Sequence, residues 1–149
     1  MKPELAAFQP DIPQNLGAMI RLSACFDTRL HIIEPCGFPL SLKALRRTAM
    51  DYADVAQMVR HPGWGAFLAD HGPGRRILLT TAGDVDLWDF AFAAGDVLIL
   101  GRESAGAPDF VHHAVEARVR VPIATATRSL NLVTAAAIAL AEALRQTRA

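Results

Sequence analysis

The sequence predicts an α/β domain, a mostly parallel sheet flanked by helices, and three observations carry that prediction. Short apolar runs of strand length alternate with longer stretches of helical periodicity. One run, residues 97–100, is apolar at every position, as a strand covered on both faces requires. The chain has 149 residues and no internal repeat, which is one domain's worth of sequence and enough to bury a core.

Taken in order, the first strand is read at 5–8 and the first helix from Pro13, where a proline in the opening turn costs no hydrogen bond. Leu16, Met19, Ile20, Ser23 and Phe26 recur at helical spacing as its core-facing stripe. Asn15 and Arg21 fall off that stripe and are free for other work. A strand at 30–34 follows, then a helix from near Ser41 and a weaker strand at 55–59. Next come a helix from near Pro62, strands at 77–81 and 97–100, a helix from near Pro108 and a strand at 118–121. The last helix begins after Ser129. It is apolar nearly all round from 132 to 141, so it is expected to pack on two sides, one of which could be a second subunit.

Composition excludes several classes. Hydrophobic residues make up 52% and charged residues 20%, which disfavours disorder. With 15 Lys+Arg against 15 Asp+Glu the chain cannot hold nucleic acid by bulk charge, so any RNA contact must come from patches. Cys25 and Cys36 form no CxxC pair, so neither zinc nor a disulfide framework is read, and a reducing cytoplasm fits best. Residues 1–10 do not resemble a signal peptide. The most apolar run stops at Glu142, short of the ~20 residues a membrane span needs.

Three segments could carry chemistry. Gly101-Arg-Glu-Ser-Ala-Gly106-Ala-Pro108 has the glycine spacing of a phosphate cradle, but it lacks the Lys and Ser/Thr that would follow, and Glu103 would place negative charge inside. Such a loop suits a neutral or cationic ligand with hydroxyls, or is simply a tight turn. In Thr127-Arg128-Ser129-Leu130-Asn131, Ser129 or Asn131 could cap the last helix. In the run from Pro10 to Gly17, Asp11 is read as an N-cap and Gly17 as a packing site. Lys43, Arg46 and Arg47, spaced for one helix face, form a basic patch suited to phosphates, as does the pair Arg75-Arg76. The five histidines include no HExxH and no defensible triad, and are read as ordinary solvated or hydrogen-bonded residues.

Together these clusters lose their independence. Pro10-Asp-Ile-Pro-Gln-Asn-Leu-Gly-Ala-Met-Ile-Arg21, Leu30-His-Ile-Ile-Glu-Pro35 with Gly37-Phe38, Leu45-Arg-Arg47 with Asp51-Tyr52, the loop 101–108, and Val121-Pro122 followed by Arg128-Ser-Leu-Asn-Leu132 resemble the motifs of the SPOUT superfamily. Within it they are similar to the ribose 2′-O-methyltransferases that modify the wobble cytidine or uridine of leucine tRNAs. The resemblance spans residues 1–149 as one methyltransferase domain without an added RNA-binding domain.

It implies a deep trefoil knot in the carboxyl-terminal part, a homodimer built on the first and last helices, and S-adenosylmethionine held in the knot loops. A purely bottom-up reading would instead give an ordinary doubly wound sheet. The cofactor residues so implied are Leu79, Gly101, Glu103, Val121, Ile123, Ser129 and Leu130; those for the reaction are Asn15, Arg21, Ser129 and Asn131. No metal is needed. A guanidinium keeps its proton, so Arg21 is read as a clamp on the phosphate beside the target ribose rather than as a base. The RNA surface would comprise Arg21, Lys43, Arg46 and Arg47 and receive the anticodon stem-loop. Alternatives are a ribose methyltransferase with another tRNA or ribosomal RNA target, and a non-catalytic RNA-binding member of the superfamily. Two departures stand out: relatives often read Gly-Pro-Glu-Thr-Arg-Gly where this chain has Gly101-Arg-Glu-Ser-Ala-Gly106, and often carry aromatic residues where the last helix has Ala141-Glu-Ala-Leu144.

Overall fold

The computed structural model describes residues 1–148. Seven strands form one sheet in the order β3-β2-β1-β6-β4-β7-β5, and every named pairing in it is parallel. They are β1 (Glu4–Phe8), β2 (Leu30–Ile33), β3 (Met58–His61), β4 (Arg76–Leu79), β5 (Val85–Asp86), β6 (Val97–Leu100) and β7 (Ala117–Arg120). The helices are α1 (Pro13–Cys25), α2 (Leu42–Ala49), α3 (Tyr52–Val55), α4 (Trp64–Asp70), α5 (Asp109–Ala114) and α6 (Leu132–Thr147).

The central strand is β6, buried at all four positions. Alternation along the strands divides the core in two. Leu5, Ala7, Leu30, Ile32, Ile77, Leu79, Leu98 and Leu100 point to one face, against Leu16, Met19 and Ile20 of α1 and Ala136, Ala139, Leu140 and Ala143 of α6. Ala6, Phe8, Ile33, Leu78, Val97 and Ile99 point to the other, where they meet Phe67 of α4 and Val111 of α5.

That second face also buries a polar chain. His31 Nε2 lies 2.6 Å from Glu4 Oε1, and His31 Nδ1 lies 2.9 Å from His61 Nε2. A carboxylate accepts, so the His31–Glu4 contact has Nε2–H of His31 as its donor, while the direction of the His31–His61 contact follows the tautomers of the two rings. Phe67 packs edge-on to both rings and stacks on His71 at 4.8 Å. Burial pushes the pKa of His61 and of His71 below the ordinary value.

Some expectations shift. The strand expected at 55–59 runs Met58–His61, because Val55 closes the short helix α3. Phe26 is not on the buried stripe: α1 ends at Cys25, the chain turns through positive φ at Asp27, and Phe26 is 46% exposed. Asp11 does not cap α1, whose N-cap is Ile12 with no side-chain bond. Gly17 is the expected packing site, since a Cβ there would lie 2.5 Å from the Thr48 carbonyl of α2. No helix of the described residues is long and apolar enough to cross a membrane.

Candidate functional site

Because the sheet is parallel, the carboxyl ends of β1, β6, β4 and β7 share one edge, and the loops leaving them meet there. They enclose a cavity of about 430 Å³, large enough for a cofactor-sized ligand. Its walls bring together Leu79, Gly101, Glu103, Val121, Ile123, Ser129 and Leu130, the whole cofactor set read from the sequence, with Asn15 and Asn131 beside them.

The loop after β6 is both a tight turn and a wall. Arg102 and Gly106 exchange backbone bonds at 3.0 and 2.8 Å, and Gly106 takes a φ of 65° that a glycine adopts without strain. At position 101 a Cβ would lie 2.7 Å from the Ala107 nitrogen, so a side chain there would force the turn open. The loop is tied to the segment after β1. Asp11 N–H donates to Glu103 Oε2 at 3.1 Å, Glu103 N–H donates back to Asp11 Oδ1 at 3.2 Å, and the Ser104 hydroxyl donates to Asp11 Oδ2. These bonds cross 92 or 93 residues of sequence.

The two carboxyl groups therefore diverge. Asp11 is held down at about 2 by its hydrogen bond with Glu103, against the opposing effect of burial, with further help from Ser104 and the Arg102 guanidinium. Glu103 is pushed up, by burial first and by the same hydrogen bond second. Glu103 Oε1 and Arg102 Nε are both buried without a protein partner, and both residues line the cavity. An acceptor and a donor left open on the wall of one cavity fit a ligand that brings both a donor or positive charge and an acceptor.

On the opposite wall, Asn131 Oδ1 accepts from the backbone nitrogens of Val133 and Thr134, capping α6 as local sequence suggested. The same side chain also reaches the site: Asn131 Nδ2 donates to Asn15 Oδ1 at 3.4 Å. Ser129 lines the cavity, but the cap is Asn131 alone.

Arg21 lies outside this cavity. It sits on α1 six residues, about 9 Å, beyond Asn15, with its guanidinium 4.9 Å from the Tyr52 ring centre. Arg46 is engaged in an ion pair with Asp54 at 3.1 Å, whereas Lys43 and Arg47 line a second cavity. The walls also hold Thr80, Thr81, Leu100 and Ala135, which sequence reasoning did not mark, and Ile12, Arg102, Gly106, Ala107 and Leu132, which lie in the motif segments but were not named as site residues. The position of Thr80, Thr81 and Leu100 at strand carboxyl ends was the available signal. Nothing local marked Asp11 as the partner of Glu103.

Comparison with known proteins places this geometry. Residues 3–141 match the model of the SpoU rRNA Methylase family. A tRNA (cytidine(34)-2′-O)-methyltransferase of Beijerinckia indica is 49% identical over 144 residues, covering 95% of this chain and 90% of that protein. A structure solved for the 2-OH methylation of C/U34 on tRNA superposes with a TM-score of 0.90 at 35% identity, covering 97% of this chain and 95% of the other. The SpoU methyltransferase AviRb from Streptomyces viridochromogenes, in complex with the cofactor AdoMet, superposes with a TM-score of 0.80 at 27% identity, covering 97% of this chain and 59% of that one.

Proposed function

The chain belongs to the SpoU rRNA methylase family, and from that premise we propose that it is a tRNA ribose 2′-O-methyltransferase acting on the wobble cytidine or uridine of leucine tRNAs. The methyl donor is S-adenosylmethionine, and the catalytic unit is a homodimer of single-domain subunits, each knotted in its carboxyl-terminal part, working in the cytoplasm. The observation that carries this reading is the convergence of the seven cofactor residues with Asn15 and Asn131 on one cavity at the carboxyl edge of the sheet.

The residues present fit the cofactor. Leu79, Val121, Ile123 and Leu130 offer apolar walls to an adenine, and the open Glu103 oxygen offers a counter-charge. When bound, S-adenosylmethionine supplies a methyl carbon on a positively charged sulfur. The protein's own task is alignment: the 2′-hydroxyl must lie in line with that carbon and lose its proton, and fixing such a geometry can supply several kcal/mol, roughly 7 or more in favourable cases. Asn15 and Asn131, bonded to each other, position the hydroxyl, and Ser129 orders the loop that leads into α6. Arg21, outside the cavity and held against Tyr52, clamps the neighbouring phosphate.

The test is transfer of labelled methyl from S-adenosylmethionine to leucine tRNA lacking its native ribose methylation, followed by nucleoside mass spectrometry. Label on the wobble ribose, lost in Arg21→Ala, is the expected result. Label at another nucleotide overturns the substrate, and cofactor and RNA binding without transfer overturns the enzyme.

A further inference from the structure

A second cavity, of about 410 Å³, lies between the first turn of α1, the segment 38–41 and α2. Pro13 and Gln14 line it, while their neighbours Ile12 and Asn15 line the first cavity, so one helical turn is the partition between the two. Phe38, Pro39 and Leu45 give it an apolar floor, and Lys43 and Arg47 stand on its wall with no acidic residue among the lining groups. Among the described residues most cations are spent in ion pairs, Arg46 with Asp54 included; Lys43 and Arg47 enter none. The chain has no net charge, yet here two cations that enter no ion pair share one cavity with an aromatic ring.

That combination is what a single-stranded nucleotide asks for: a flat apolar surface for the base and positive charge for its phosphate. We propose that this cavity seats the nucleobase next to the methylated nucleotide, stacked on Phe38 and edged by Gln14, with its phosphate held by Lys43 and Arg47. Splaying the neighbour into its own pocket unstacks the loop and leaves the target ribose presented to Asn15 across the shared turn. Any base has a stacking face, so Phe38 grips the loop, and Gln14, with one donor and one acceptor group, supplies a preference among bases. This inference rests on the reading of the chain as an RNA methyltransferase.

The test uses a fluorescent anticodon stem-loop RNA with cytidine at the wobble position, and versions with the base removed on its 5′ or its 3′ side. Wild type is compared with Phe38→Ala and with Phe38→Leu, which keeps apolar packing against the core. Phe38→Ala should weaken stem-loop binding about tenfold, as loss of one base–aromatic stack does, and leave cofactor affinity unchanged. Removing one of the two neighbouring bases should weaken wild type by a similar factor and cost Phe38→Ala nothing further. Unchanged affinity in both variants, or losses that multiply for each abasic RNA, overturns the pocket. Unchanged affinity with a shift from dimer to monomer would assign the cavity to a subunit contact instead. Binding that depends on Phe38 without methyl transfer would sustain the pocket and sink the methyltransferase reading.

Discussion

Two clusters of buried polar side chains sit in the same parallel sheet, and they differ in what surrounds them. His31 and His61 are sealed beneath α4, bonded to each other and packed on Phe67, and His31 is bonded in turn to Glu4, a part-exposed carboxylate that also pairs with Arg29 at 3.7 Å. Asp11 and Glu103 are bonded to one another at 3.1 and 3.2 Å, but Glu103 lies on the wall of a cavity and keeps one oxygen open. The sealed cluster satisfies the polar groups of His31 and His61 internally and serves the fold, although Nδ1 of the neighbouring His71 has no partner; the open one leaves an acceptor on a cavity wall. A shifted pKa occurs in both, so it does not tell them apart. Access does.

The largest expected effect breaks the sealed cluster. Phe67→Ala removes the ring that three histidines pack against, and should cost about 3 to 5 kcal/mol of stability in denaturant unfolding, with methyl transfer per folded molecule near wild type. A loss of turnover in the folded fraction would join the two clusters that the account separates.

Next in size is the open site's far wall, where Asn131 serves both as cap and as partner of Asn15. Asn131→Asp keeps the accepting oxygen and so the cap, while losing the donor to Asn15. Turnover should fall about a hundredfold, the scale of a misplaced reacting group, with melting within a degree or two of wild type. Asn131→Ala should lose the same turnover and about 1 kcal/mol of stability besides. Full turnover in the Asp variant would leave Asn131 a cap and nothing more.

The smallest effect concerns pH. His61 and His71 are held neutral in the fold, so the unfolded chain takes up their protons first. Stability should be full above about pH 6.5, the ordinary histidine value, and fall as pH drops below it. His71→Phe preserves the stack on Phe67 and removes one of the two groups, so unfolding measured across that range should show a shallower decline. An unchanged slope would rule His71 out as a contributor.

The contrast between regions also explains what the sequence could tell. Strand centres were legible where burial on both faces made the run continuously apolar, as in Val97–Leu100. The two-residue β5 was not, since Val85-Asp86 carries no alternation, and neither was the four-residue α3. Half of the residues lining the cavity, Leu79, Gly101 and Val121 among them, were named through motif resemblance, and strand carboxyl ends in a parallel sheet converge whatever the loops do between them. The Asp11–Glu103 link was not, because a contact spanning 92 residues leaves no local pattern and Asp11 looks like any N-cap. The histidine chain stayed hidden for the same reason: His31 and His61 meet only once β2 and β3 pair.

The most direct measurement sets Glu103→Gln beside Glu4→Gln, each assayed for S-adenosylmethionine affinity by calorimetry and for stability in denaturant. Glu103→Gln should lose about tenfold in affinity, the scale of one charge-assisted contact, with stability near wild type. Glu4→Gln should lose about 1 to 3 kcal/mol of stability with affinity intact. Cofactor affinity that follows Glu4 rather than Glu103 would contradict the account.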